Sequence, residues 1–132
     1  MFVSAIIKNG QGENDITVST DSNKKKISIP SKTDGKGSSV NGAELLFLSL
    51  ATCFCNDIYR EAVKRNIPVH SVEVVTTGEF GKEGEPGYNI SYHVKIESPS
   101  SPEEINDLIR YVDSIAEIHK TIRGGTSVTL KT

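Results

Sequence analysis

The stretch from Asn41 to Asn66, NGAELLFLSLATCFCNDIYREAVKRN, has no glycine or proline between Ala43 and Arg65. An unbroken pattern of that length places one long helix at the centre of the fold. Asn41 is suited to cap it, because its side-chain oxygen can accept from the free N–H groups of the first turn. Pro68 closes it, since the residue before a proline avoids helical geometry. The first half is apolar on nearly every side (Leu45, Leu46, Phe47, Leu48, Leu50, Ala51), the profile of a helix buried all round. A bilayer span needs about 20 apolar residues, and this run is shorter. In the second half Phe54, Ile58, Ala62 and Val63 continue the core, while Asn56, Asp57, Arg60, Glu61, Lys64 and Arg65 are expected to face water.

The helix carries both cysteines of the chain, Cys53 and Cys55. Two residues apart on a helix they point to roughly opposite sides, so they do not readily bond to each other. Cys55 shares its stripe with Leu48, Ala51, Ile58, Tyr59 and Ala62, which reads as a small packing residue. Cys53 lies among Leu46, Ser49, Leu50, Asn56, Asp57 and Arg60, a mixed surface of the kind where a thiol can be reactive. Two thiols without a natural partner argue against a disulfide scaffold and for a reducing, cytoplasmic setting.

The 132 residues are enough for one domain with an ordinary core. Acids and bases are interspersed and the net charge is −2, which offers no surface for nucleic acid. Lys24-Lys25-Lys26 reads as a solvated strand start after the turn at Asp21-Ser22-Asn23. No secretory-type segment opens the sequence. Before the helix, Phe2–Lys8, Asp15–Thr20 and Lys26–Ile29 read as strands at hairpin spacing, an antiparallel meander. A loop rich in Ser, Gly and Lys follows, from 30 to 40. After the helix, Ser71–Phe80 is strand-like. Tyr88–Glu97 alternates, with Tyr88, Ile90, Tyr92, Val94 and Ile96 on one face and Asn89, Ser91, His93, Lys95 and Glu97 on the other. Ser101-Pro102-Glu103-Glu104 starts a second helix, with a break expected near Asp113-Ser114 and a stop at Gly124-Gly125. Ser127–Lys131 reads as a last strand. The order βββ-α-ββ-α-β makes the class α+β, and the first half of the long helix calls for a second copy to cover it.

These features resemble the OsmC/Ohr family of osmotically inducible and organic hydroperoxide resistance proteins. The resemblance is carried by a Gly- and Ser-bearing loop feeding a long helix, by Glu44-Leu45-Leu46 seven residues before Ala51-Thr52-Cys53-Phe54, and by the order of elements. It implies an OsmC-like fold over residues 1–132 as one domain, in an intertwined homodimer with the two central helices back to back. It also implies reduction of organic hydroperoxides by two cysteines. The first becomes a sulfenic acid, the second closes a disulfide, and an external dithiol reopens it. An arginine and a glutamate activate the first thiol.

Carried over by position, the first cysteine of the family falls on Cys53. The second falls on Ala116, so no resolving thiol is expected. The glutamate falls on Ala43, beside Glu44, and residues 1–40 contain no arginine. Substitutes for the missing cation are His119 and Arg123, on the segment that approaches the first cysteine in the family. Arg60 is about 10.5 Å along the axis from Cys53 at the helical rise, too far for direct pairing. His93 reads as solvated and His70 has no assigned role. The cysteines and histidines show no metal-ligand spacing, and no cofactor is expected.

Two functions follow. One is a thiol redox protein reducing organic hydroperoxides through Cys53 alone, with an external thiol as reductant. The other is a non-catalytic dimer binding a small apolar ligand near Cys53. Neither involves nucleic acid or a membrane.

Overall fold

Leu50, Phe54, Ile58 and Ala62 recur at three- and four-residue steps on the long helix, and all four are buried. That stripe is where the core forms. The structure, a computed structural model, describes residues 1–131. It comprises two compact units, Met1–Leu45 and Leu46–Thr132.

The first unit is the expected meander: β1 (Val3–Gly10), β2 (Glu13–Thr20) and β3 (Asn23–Ile27), paired antiparallel in that order. The turn between β1 and β2 is Gln11-Gly12, with both φ angles positive, 54° and 79°. Two such residues match the right-handed twist of the flanking strands. The register aligns Ile7, Ile16 and Ile27 on one face.

Helix α1 (Gly42–Lys64) starts at a capping box. The Glu44 N–H donates to Asn41 Oδ1 at 2.8 Å, and the Asn41 N–H donates to Glu44 Oε1 at 3.0 Å. The helix closes at Lys64, and Asn66, two residues before Pro68, takes a left-handed φ of 56°. There the Ile67 N–H donates to the Ala62 carbonyl at 2.9 Å, a glycine-like termination made by asparagine.

In the second unit β4 (Ser71–Glu79) and β5 (Tyr88–Glu97) pair antiparallel. Val72, Val74, Tyr92, Val94 and Ile96 pack against the core as the alternation requires, although Tyr88 and Ile90 are exposed. Helix α2 (Pro102–Ile115) has Ser101 as N-cap, accepting from the Glu104 N–H. It contributes Leu108 and Val112, which close the core with Phe54 and Ile58. Each of these fully buried side chains contributes about 1.5–3 kcal/mol of transfer free energy.

Several expectations are corrected. The second helical segment breaks at Ala116, not at Asp113-Ser114, because Ala116 turns extended (φ −61°, ψ 115°) and is itself buried in the core. Helix α3 (Glu117–Arg123) follows. Ser127–Lys131 forms no ladder, since among the described residues no strand lends it backbone partners, and Val128 and Leu130 are exposed. The observed order is therefore βββ-α-ββ-α-α, still α+β. The core lies along the second half of α1, whereas Leu45 and Leu48 in the apolar first half are exposed, as is Val63. Asp57 and Glu61, expected in water, are buried under the ion pairs described below.

Gly78 sits at an irregularity in the β4–β5 register. A Cβ there would lie 2.6 Å from the Phe47 ring and 3.0 Å from Ile90, so glycine lets Phe47 reach the strand. Gly78→Ala is expected to destabilise by about 1–3 kcal/mol, as overpacking does. Gly42→Ala, with nothing within 4 Å of the added carbon, should change little. Urea denaturation of the two variants checks the contrast.

Candidate functional site

Cys53 and Asp57 are one turn apart on α1, and the break at Ala116 swings the first residues of α3 onto the same spot. Cys53 is half-buried and packs against the core. Its Sγ lies 3.9 Å from Asp57 Oδ2 and 4.0 Å from Glu117 Oε2. Burial pushes the Cys53 thiol up from its ordinary range. The Ile118 backbone N–H counteracts this, the Asp57 and Glu117 carboxylates push the thiol further up, and the Glu117 N–H pulls it down. In the described geometry the thiol is held mainly in its protonated form.

Asp57 is also raised, chiefly by burial, against the pull of Arg60. Arg60 bridges two buried acids, Nη1 to Asp57 Oδ1 at 2.9 Å and Nε to Glu61 Oε2 at 2.8 Å, and Lys64 adds 2.9 Å to Glu61. These pairs explain how two carboxylates enter the edge of a core, because a buried charge needs a partner. They also commit Arg60 to the acids, as its distance from Cys53 implied.

The two candidate cations are engaged elsewhere. His119 is buried at 3% exposure, tilted against Phe54 and edge-on to Tyr92 with ring centroids 5.7 and 4.8 Å away. Neither ring nitrogen has a hydrogen-bond partner among the described residues. Burial lowers its pKa, Arg123 adds to this, and Asp113 and Asp57 oppose it. His119 is thus a neutral ring. Arg123 donates from Nη2 to Asp113 Oδ1 at 2.7 Å and from Nη1 to the Asp113 carbonyl at 3.2 Å. The Tyr92 hydroxyl donates to the same Asp113 oxygen. For Asp113, burial works upward but the Arg123 and Tyr92 hydrogen bonds outweigh it, and the net shift is down.

Cys55 is half-buried too, on the stripe with exposed Leu48 and Tyr59. The thiol that packs against the core is therefore Cys53. His70 and His93 are exposed. Cys53, Asp57 and Glu117 offer ligand atoms within 4.8 Å of one another. They are the residues that could face a cation, although Asp57 is already bound to Arg60. Sequence spacing gave no hint of this group, because Glu117 is 64 residues from Cys53. A cavity of about 110 Å³ is lined by Leu50, Ile90, Tyr92, His119, Ile122 and Arg123. Among the described residues, no helix is long and apolar enough to cross a membrane.

An α+β unit in which a thiol on a long helix meets the start of a C-terminal helix belongs to a class with many solved members. The chain is similar to an OsmC-like protein from Mycoplasma pneumoniae, at 22% identity and TM-score 0.65 over 93% of this chain and 86% of that one. It is similar to an organic hydroperoxide resistance protein from Legionella pneumophila at 20% identity and TM-score 0.59, covering 92% and 90%. It is also similar to OhrB, the organic hydroperoxide resistance protein of Bacillus subtilis, at 16% identity and TM-score 0.57, covering 99% and 97%. No curated relative matches by sequence. The profile of the OsmC-like protein family matches residues 35–131, and the chain belongs to that family.

The neutral His119 has a measurable consequence. Its folded pKa lies below the unfolded value of about 6.5, so its contribution to stability is fully present above pH 6.5. As pH falls through the folded pKa, the unfolded chain takes up the proton first and stability drops. His119→Phe should flatten this slope. Urea midpoints at pH 7.5 and 5.5, compared between the two proteins, check it.

Proposed function

We propose that this chain is a slow, one-cysteine thiol reductant of organic hydroperoxides, acting as a homodimer of single-domain subunits in a reducing compartment. The observation that carries the reading is the setting of Cys53, a half-buried thiol beside the start of α3, with Glu117 Oε2 4.0 Å from its Sγ and the Glu117 and Ile118 N–H groups working against the rise that burial causes. Backbone donors of this kind stabilise a thiolate and a developing sulfenate. Membership of the OsmC-like family, with neighbours named as hydroperoxide resistance proteins, supports the substrate class.

The Cys53 thiolate attacks the distal peroxide oxygen. The S–O bond forms as O–O breaks, and the alkoxide leaves as an alcohol after taking one proton. Cys53 is then a sulfenic acid. With Ala116 at the family's second position, two external thiols complete the cycle. One displaces hydroxide, which leaves as water, to form a mixed disulfide. The other reduces that disulfide and returns Cys53 to the thiol. Desolvation, Asp57 and Glu117 keep the thiolate fraction small, so turnover is slow. Neither His119 nor Arg123 offsets them within the chain.

The dimer is supported by the apolar residues that α1 leaves uncovered, Leu45, Leu48, Tyr59 and Val63. Large apolar side chains left exposed along one helix are candidates for an interface. The second reading is a non-catalytic dimer that binds a small apolar ligand. It is favoured by the raised Cys53 thiol together with the commitment of Arg123 to Asp113.

The two readings separate on one experiment. The protein is treated with an organic hydroperoxide, a dimedone-type probe traps sulfenic acid, and mass spectrometry locates the label. The first reading expects label on Cys53, absent in Cys53→Ser and retained in Cys55→Ala. No label at Cys53, with the fold intact, favours the ligand-binding dimer. Sedimentation at micromolar concentration is expected to give twice the chain mass, and a folded monomer would remove the dimer.

A further inference from the structure

Helix α3 is short, and its start is what touches the sulfur. It has no side-chain N-cap hydrogen bond, and a single extended residue, Ala116, joins it to α2. On its own a helix of this length is far from stable, so something must hold it over Cys53. The buried His119 ring anchors the middle of α3 on Phe54 and Tyr92, and the far end carries a polar tie. The Arg123 guanidinium grips Asp113 through two different oxygens, the carboxylate at 2.7 Å and the main-chain carbonyl at 3.2 Å. That fork spans the break, joining the last turn of α3 to the last turn of α2. The Tyr92 hydroxyl, from β5, fixes the same Asp113 carboxylate. Tyr92 also packs on Phe54 of α1 at 4.9 Å between ring centroids, next in sequence to Cys53. Three elements thus converge on one carboxylate.

We propose that Tyr92, Asp113 and Arg123 form a clamp that positions α3, and that its role is to keep the Glu117 and Ile118 N–H groups on the Cys53 sulfur. The residues are positioning residues; none touches the sulfur. The clamp rests on the reading of Cys53 as the reactive thiol, and it deepens that reading by naming what sets the thiol's environment. Released, α3 takes away its two backbone donors together with the weaker Glu117 carboxylate, while the packing of Cys53 on the core and the Asp57 carboxylate on α1 remain. The thiol should then become harder to ionise.

Charge gives the test its sign. If Arg123 and Asp113 acted on Cys53 only through space, removing the cation would raise the thiol pKa and removing the anion would lower it. A clamp makes both removals raise it. The measurement is the rate of iodoacetamide alkylation of Cys53 against pH, read on the Cys53 peptide by mass spectrometry so that Cys55 does not interfere. Arg123→Ala and Asp113→Ala are both expected to raise the apparent pKa by about half a unit, roughly a threefold loss of thiolate at neutral pH. Arg123→Lys keeps the charge but loses the rigid fork, and should shift the pKa in the same direction by less. The paired side chains are 54% and 43% exposed, so the substitutions leave the core intact, which circular dichroism checks. In parallel, amide exchange of the α3 residues should accelerate in both alanine variants. Opposite shifts in the two alanine variants, or an unchanged pKa in all three folded variants, would overturn the clamp. The titration uses no peroxide. A protein that fails to reduce hydroperoxides while its thiol still follows the clamp loses the functional reading and keeps this one.

Discussion

The burial of Phe54, Ile58 and Ala62 against Leu108, Val112 and Ala116 is the contact on which the second unit depends. It fixes the rotation of α1 about its axis, because only one stripe of a helix can meet α2 and the β4–β5 sheet at once. Once that stripe is set, Cys53 and Asp57 fall at its edge. The same contact explains the break. Ala116 is the next fully buried position after Val112, and the chain turns extended there before α3 begins. A straight α2 would carry residues 117–123 away from Cys53.

The electrostatics around the thiol follow from that packing and run against easy ionisation. A thiol on a helix can be activated by a neighbouring cation, by backbone donors, or by both. Here the backbone donors are present, but the nearest charges are two carboxylates. The cations are tied up in their own networks, Arg60 with Asp57 and Glu61, and Arg123 with Asp113. His119 is the clearest case. Its place on the segment that approaches the first cysteine in the family suggests a positive charge near the sulfur, yet the Phe54 and Tyr92 rings enclose it. A ring without a partner in such a place stays neutral.

The local elements were legible in the residues. Asn41 and Ser101 cap the two main helices, and the paired strands 88–97 and 71–79 fall where β-rich alternation and turn residues put them. Caps, turns and alternation are short-range signals, readable because their cause lies within a few residues. The departures from these local patterns depend on what packs beside each residue. Asp57 and Glu61 look solvent-facing until Arg60 and Lys64 fold back over them. Val63 looks like core until the axis of α1 is known. Ser127–Lys131 has strand composition, but a strand needs another backbone beside it.

By itself the sequence determined one long capped helix bearing two thiols on different faces, the meander before it, the hairpin after it, and hence the α+β class. Each of these follows from hydrophobic period and from cap and turn chemistry, which neighbouring residues settle among themselves. Only the tertiary structure decided which thiol meets the core, which acids surround it, and that Glu117 and Ile118, over 60 residues away, reach its sulfur. Those outcomes depend on the rotation of α1 and the angle of the break at Ala116. Both are set by how side chains distant in sequence fill one interior, and no local pattern encodes that.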